Sequence, residues 1–236
     1  MLGVTFIVGN KQIHSCKDWN LAFGSYTISS PESKTYTVDI PGMDGVLDLS
    51  ESLTGDIQYK NRKITLNFSI ISSLFKQPVD FSKIYNCLHG RTVKLIFDND
   101  PSFYWIGRLS VSTSQEAYLL GSISIECDIN PYKYERYSGI EPWLWDTFNF
   151  EQDIIREYKD LQISGKLELN ILGRRKTIYP VFTASTEMKV TFNNVSYTIP
   201  ANKSIQLLDV GLKEGDNILI IEGNGTITID YRGGSL

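Results

Sequence analysis

Residues 36–70 read Tyr36-Thr-Val-Asp-Ile-Pro-Gly-Met-Asp-Gly-Val-Leu-Asp-Leu-Ser-Glu-Ser-Leu-Thr-Gly-Asp-Ile-Gln-Tyr-Lys-Asn-Arg-Lys-Ile-Thr-Leu-Asn-Phe-Ser-Ile70. The end of this stretch is a strand by pattern. Ile64, Leu66, Phe68 and Ile70 fall on one face, and Thr65, Asn67 and Ser69 on the other. Its beginning is a second strand that stops at Ile40, because Pro41 has no N–H for a ladder and Gly42 frees the backbone. The connection, residues 41–62, is polar and holds Asp44, Asp48, Glu51 and Asp56. Connections longer than about 12–15 residues are uncommon in compact domains and are usually functional or disordered. Val46, Leu47, Leu49 and Leu53 punctuate this one, which argues against disorder. The expectation is an arm whose four apolar side chains are buried against another copy of the chain.

Upstream, Val4, Phe6 and Val8 alternate with small or polar neighbours, Gly9-Asn10 offers a turn, and Ile13 resumes the strand. Trp19, Leu21 and Phe23 form another alternating set that ends at Gly24, with Tyr26 and Ile28 following. Downstream, Phe81, Ile84, Tyr85 and Leu88 recur at helical spacing, so a helix is expected from Asp80 to His89, capped by Asp80 and stopped by Gly90. His89 should then contact free carbonyls at its C-terminal end. Strand patterns return at Val93–Phe97, Phe103–Ser112 and Ser122–Ile129, with a turn at Asp98-Asn-Asp-Pro101. No helical crossover separates them, so their pairing should be antiparallel. One mostly β domain with a single helix accounts for residues 1–134.

The segment Pro131–Pro142 carries two prolines, a glycine and little alternation, and marks a domain boundary. Trp143, Trp145, Phe148 and Phe150 follow, an aromatic cluster expected to pack between domains. Beyond residue 160 only strands are expected: Lys166–Ile171, a two-residue hairpin turning at Asn193-Asn194, and a second hairpin turning at Gly223-Asn-Gly225. Short strands without helices indicate a β-sandwich or jelly roll over residues 135–236. The fold class is therefore all-β and mainly antiparallel.

The formal charge of −4 gives no sign of a nucleic-acid-binding surface. The one dense basic run, Arg174-Arg175-Lys176, is read as a solvated turn. Cys16, Cys87 and Cys127 are odd in number and lack zinc spacing, and Cys127 shares the apolar face of Ile123, Ile125 and Ile129. No signal-peptide pattern opens the chain and no apolar run is long enough to span a membrane, so cytoplasmic synthesis is expected. His14 and His89 show no metal-binding spacing, and no nucleophile elbow or phosphate loop is present. No catalytic, cofactor-binding or metal-binding residue is assigned.

One resemblance spans essentially the whole chain. Pro41-Gly-x-Asp44-Gly-x-x-Asp48-Leu, then Gly55, Tyr59 and Arg62, is similar to a pattern of the distal tail protein family of long-tailed, non-contractile bacteriophages. The likeness continues through Leu88-His-Gly-Arg91, Phe97-Asp-Asn-Asp-Pro101, Tyr104, Gly107-Arg108 and Asp128-Ile-Asn-Pro-Tyr-Lys133, and closes with Tyr231-Arg-Gly-Gly-Ser-Leu236. The resemblance implies an N-terminal β-sandwich-like domain that closes into a hexameric ring around a channel, followed by a galectin-like sandwich. It implies a place at the virion tail tip, after assembly in the host bacterial cytoplasm. The implied partners are five further copies, the tail tube protein, the tape measure protein, a tail-associated hub or lysin protein, and fibre or receptor-binding proteins. DNA passage implies a channel lining that is neutral or acidic, without sequence-specific binding. The rival reading is a carbohydrate-binding module that touches host cell-wall glycans through residues 135–236.

Overall fold

A computed structural model of the chain describes residues 2–70, 77–117, 120–141, 154 and 156–236. The aromatic cluster Trp143, Trp145, Phe148 and Phe150 lies outside the described residues. The chain divides into two compact units, one of residues 1–99 and 105–131, the other of residues 100–104 and 132–236. Both are built on antiparallel β-structure.

In the first unit, β1 (Val4–Val8) turns through Gly9-Asn10 into β2 (Lys11–His14), and β3 (Leu21–Ile28) follows. The arm carries two short strands, β4 (Thr37–Val38) and β5 (Leu47–Asp48), which pair only with each other. Then come β6 (Arg62–Ile70), α1 (Gln77–Leu88), β7 (Thr92–Phe97), β8 (Asp100–Ala117, whose first five residues belong to the second unit) and β9 (Leu120–Ile129). The main sheet has the order β2-β1-β7-β8-β9-β6-β3. Its apolar face is the one read from the alternation, with Ile64, Leu66, Phe68 and Ile70 all buried. Ile84 and Leu88 of α1 close over that face together with Phe6, Leu95, Leu109 and Ile125.

The two segments either side of Gly24 form one strand, not two. Leu21 and Phe23 pair with Ile70 and Phe68, while Tyr26 and Ile28 pair with Leu66 and Ile64, and the register shifts between Phe23 and Ser25. One extra residue at this bulge restores the inward phase after an odd step. Gly24 fits there because a Cβ would lie 3.1 Å from the Asn67 carbonyl oxygen. The helix begins at Gln77, so Asp80 sits in its first turn, where its charge still favours the positive end of the helix dipole. Gly90 (φ 74°) follows the helix in the left-handed conformation expected of a stop.

The second unit takes β10 (Lys133–Glu135), β11 (Leu161–Gly173), β12 (Val181–Ala184), β13 (Met188–Phe192), β14 (Val195–Ile199), β15 (Ser204–Gln206), β16 (Gly215–Asp230) and β17 (Gly234–Ser235). Its sheet runs β14-β13-β16-β12-β15, with β11 paired along β16. Residues 103–104 pair with β10, which pairs with β17. The Asn193-Asn194 hairpin is present, with φ of 49° and 64° at its two turn residues. The second expected hairpin is absent. Gly223 and Gly225 lie inside the single long strand β16, where the partner changes from β13 to β12. The φ values there, 151° and 137°, bend the strand without reversing it, and a Cβ at Gly223 would come 2.8 Å from Met188 Cγ.

Candidate subunit-interface site

The arm is braced from within. At its root, Lys34 N–H donates to the Gln58 carbonyl (2.7 Å) and Lys60 N–H to that of Glu32 (2.8 Å), beside a bridge between Ser33 and Tyr59. Farther out, Thr37 pairs with Asp48 and Val38 with Leu47, and Leu49 N–H donates to the Tyr36 carbonyl (2.8 Å). Ile40-Pro41-Gly42-Met43 is a turn closed by Met43 N–H on the Ile40 carbonyl, and Gly42 supplies the positive φ (87°). Asp48 Oδ1 accepts from both the N–H and the hydroxyl of Ser50, and these two bonds hold its carboxyl below the usual value of 3.8.

The arm's apolar side chains face outward from this ribbon. Leu53 is 97% exposed, Val46 56% and Leu47 39%, and Leu49 is half-buried. Pairing brings Leu47 against Val38, and Leu53 stands on a separate turn closed by Gly55 N–H on the Glu51 carbonyl (2.7 Å). Tyr36, Ile40 and Met43 are exposed as well. The alternation of Tyr36, Val38 and Ile40 reads as a sheet strand, but only Thr37 and Val38 pair, and they pair with β5 rather than with the main sheet. Fully burying a Leu or Val is worth about 1.5–3 kcal/mol, so an arm with this many uncovered side chains gains on contact with a second surface.

Where the arm rejoins the sheet, Arg62 occupies the first inward position of β6, in phase with Ile64 and Leu66. It is 9% exposed, and its guanidinium carbon lies 4.3 Å from the centroid of the buried Trp105 ring. Burial alone depresses its pKa. Nε has no hydrogen-bond partner, and no carboxylate reaches the group among the described residues.

The histidines are structural. His14 Nδ1 accepts the N–H groups of Cys16 and Lys17, each at 3.1 Å, and Nε2 faces Asp98 Oδ2 at 3.0 Å. Among the described residues, His89 contacts no free helix carbonyl. Its Nδ1 accepts Val111 N–H (3.1 Å), and its ring stacks on Tyr85 (centroids 4.3 Å apart), tying α1 to β8. The Cys127 thiol is pushed up by burial, which makes it unreactive. No group of three metal-ligating side chains occurs among the described residues.

The basic run of the second unit is not a solvated turn. Arg174 Nε and both terminal nitrogens of Arg156 meet the buried Glu135 carboxylate, which also accepts Gly233 N–H (2.7 Å). Lys176 Nζ reaches the Tyr134 hydroxyl at 2.7 Å, and Arg174 lies over Phe103. Burial opposes the charge on Arg156, but the adjacent Glu135 holds its pKa above the usual value. Nothing in the spacing of Arg174, Arg175 and Lys176 announces this, because Glu135 is remote in sequence.

A family of phage tail proteins, described as the RIFT-related domain, matches residues 20–129. No curated protein matches the sequence. Among solved structures, the SPP1 Dit protein (gp 19.1), described as a paradigm of the hub adsorption apparatus in phages that infect Gram-positive bacteria, is similar in fold. Its TM-score is 0.57 at 11% identity, over 99% of each chain. Neither likeness is to an enzyme. No helix among the described residues is long and apolar enough to cross a membrane. The phage tail RIFT-related family model thus spans β3 to β9, and the fold of the Dit structure is shared along the whole chain.

Proposed function

We propose that six copies of this chain close into a ring at the end of the tail tube, joining it to a tail-associated hub and to peripheral receptor-binding components, with a central channel for DNA. The observation that carries this reading is the arm, internally braced yet leaving Val46, Leu47 and Leu53 exposed and Leu49 half-buried among the described residues. A ring requires a head-to-tail contact between two different patches, and an arm reaching a neighbour's body is such a contact. The open face of the main sheet suits a channel lining. It presents Asn67, Ser69, Ser110 and Ser112, with Lys63, Lys94 and Arg108 interspersed with Glu126 and Asp128, so it carries no dense basic lining to retain DNA phosphates.

Sedimentation and negative-stain imaging of the purified chain test the reading. Wild-type rings are expected, with Leu49→Asp/Leu53→Asp giving a folded monomer. Rings unchanged in the double variant refute the assignment of these residues.

A further inference from the structure

Two features of the first unit lack counterparts within it. The first is Arg62, a buried cation with an aromatic ring beneath it and an unpartnered Nε. A guanidinium offers donors in a fork that matches a carboxylate, and leaving one buried without an anion is costly. The second is a separation of charge. Between Lys34 and Lys60 lie Asp39, Asp44, Asp48, Glu51 and Asp56 with no Lys or Arg, while the rest of the unit has eleven basic residues against seven acidic ones. Asp48 is engaged with Ser50, and Asp56 with the Ile57 N–H. Asp39, Asp44 and Glu51 have no partner among the described residues. An acidic limb on a basic body is complementary to its own kind in head-to-tail order, since the limb of one copy is attracted to the body of the next.

We infer that Arg62 is the receptor for a carboxylate of a neighbouring copy's arm, supplied by Asp39, Asp44 or Glu51. The arm thus does two things at the interface: its leucines contribute apolar area, and its acid neutralises a charge that no carboxylate among the described residues compensates. This rests on the ring-forming reading. It adds a specific contact, because an apolar arm alone would tolerate many registers, whereas one buried ion pair fixes one.

The test uses the full-length chain with Arg62→Met and with Asp39→Asn/Asp44→Asn/Glu51→Gln, alone and combined. Sedimentation over a concentration series measures assembly, and thermal unfolding measures the monomer. Arg62→Met is expected to leave the melting temperature equal or higher, because an uncompensated buried charge is gone, while raising the assembly midpoint at least about tenfold. The acid-neutralised variant should show a similar loss, and the combination no further loss, since both remove one pair. A melting temperature that falls with an unchanged midpoint makes Arg62 merely structural and overturns the inference. Losses that add in the combined variant overturn the arm as the source of the carboxylate. A wild-type chain that remains monomeric throughout overturns the ring reading and the receptor together, whereas Arg62→Met rings at the wild-type midpoint overturn the receptor alone.

Discussion

Each unit buries an arginine against an aromatic ring, Arg62 on Trp105 and Arg156 on Tyr231, and the surroundings send their pKa values in opposite directions. Both feel burial as a penalty on the charge. For Arg62 no group among the described residues opposes it, and the pKa falls. Arg156 has the Glu135 carboxylate at 2.7–2.8 Å and donates to the Tyr231 hydroxyl at 2.8 Å, and its pKa rises. Burial is therefore not what distinguishes a finished site from an unfinished one; the partner is. The second unit supplies Arg156 with its counter-ion internally, although Asp230 Oδ1 there is buried without a partner among the described residues. The first leaves Arg62 without a counter-ion among those residues, at the root of an exposed arm. A change in the second unit should accordingly cost stability, and a change on the arm should cost assembly.

The sharpest way to break this contrast is Glu135→Ala. It strips Arg156 and Arg174 of their shared carboxylate and frees the Gly233 N–H, and should lower the stability of the second unit by about 3–5 kcal/mol in urea unfolding. An effect below about 1 kcal/mol, within the range of ordinary surface substitutions, would remove the contrast. Next in size is Gly223→Val, whose branched side chain must displace Met188 from a strand held at positive φ. A loss of about 1–3 kcal/mol is expected in the same assay, with ring formation unaffected above the midpoint. Leu53→Asp, fully exposed in the single chain, should leave monomer stability within about 0.5 kcal/mol while weakening self-association.

The smallest effect is one of pH. Asp48 is held below its ordinary value by Ser50, so its bonds are fully formed above that value and are lost as pH falls through the lowered one. Hydrogen exchange at the Ser50 amide should accelerate relative to the intrinsic rate only in that acid range, and Asp48→Asn should abolish the acid dependence. Acceleration already at neutral pH would mean that the arm is not braced as described.

What was legible in the sequence follows from which forces are local. The period-2 pattern of Ile64 to Ile70 located β6, the helical spacing of Phe81 to Leu88 located α1, and two asparagines located the β13–β14 turn, because each signal is written in neighbouring residues. Gly223-Asn-Gly225 reads as a reversal because glycine permits turn and bend alike, and the continuous ladder with the distant β11 selects the bend. The run Arg174-Arg175-Lys176 was misread for the same reason: its partner is Glu135. Arg62 entered only as part of a family resemblance, although one signal was available. It continues the inward phase of Ile64, Leu66 and Phe68, and a charged residue on an apolar face marks a site that requires a counter-ion.

Gly233 closes on Glu135 across 98 positions, and residues 103–104 must wait for β10 and β17 as well. The ribosome therefore delivers everything the first unit needs by residue 131, but the second cannot close until its final strand has emerged. At about 5–20 residues per second, that is a lag of roughly 5–20 seconds. During this interval a completed first unit carries its uncovered limb among other nascent chains. An acidic limb is well suited to that exposure, since like-charged limbs repel one another and discourage premature clumping before the proper neighbour is finished.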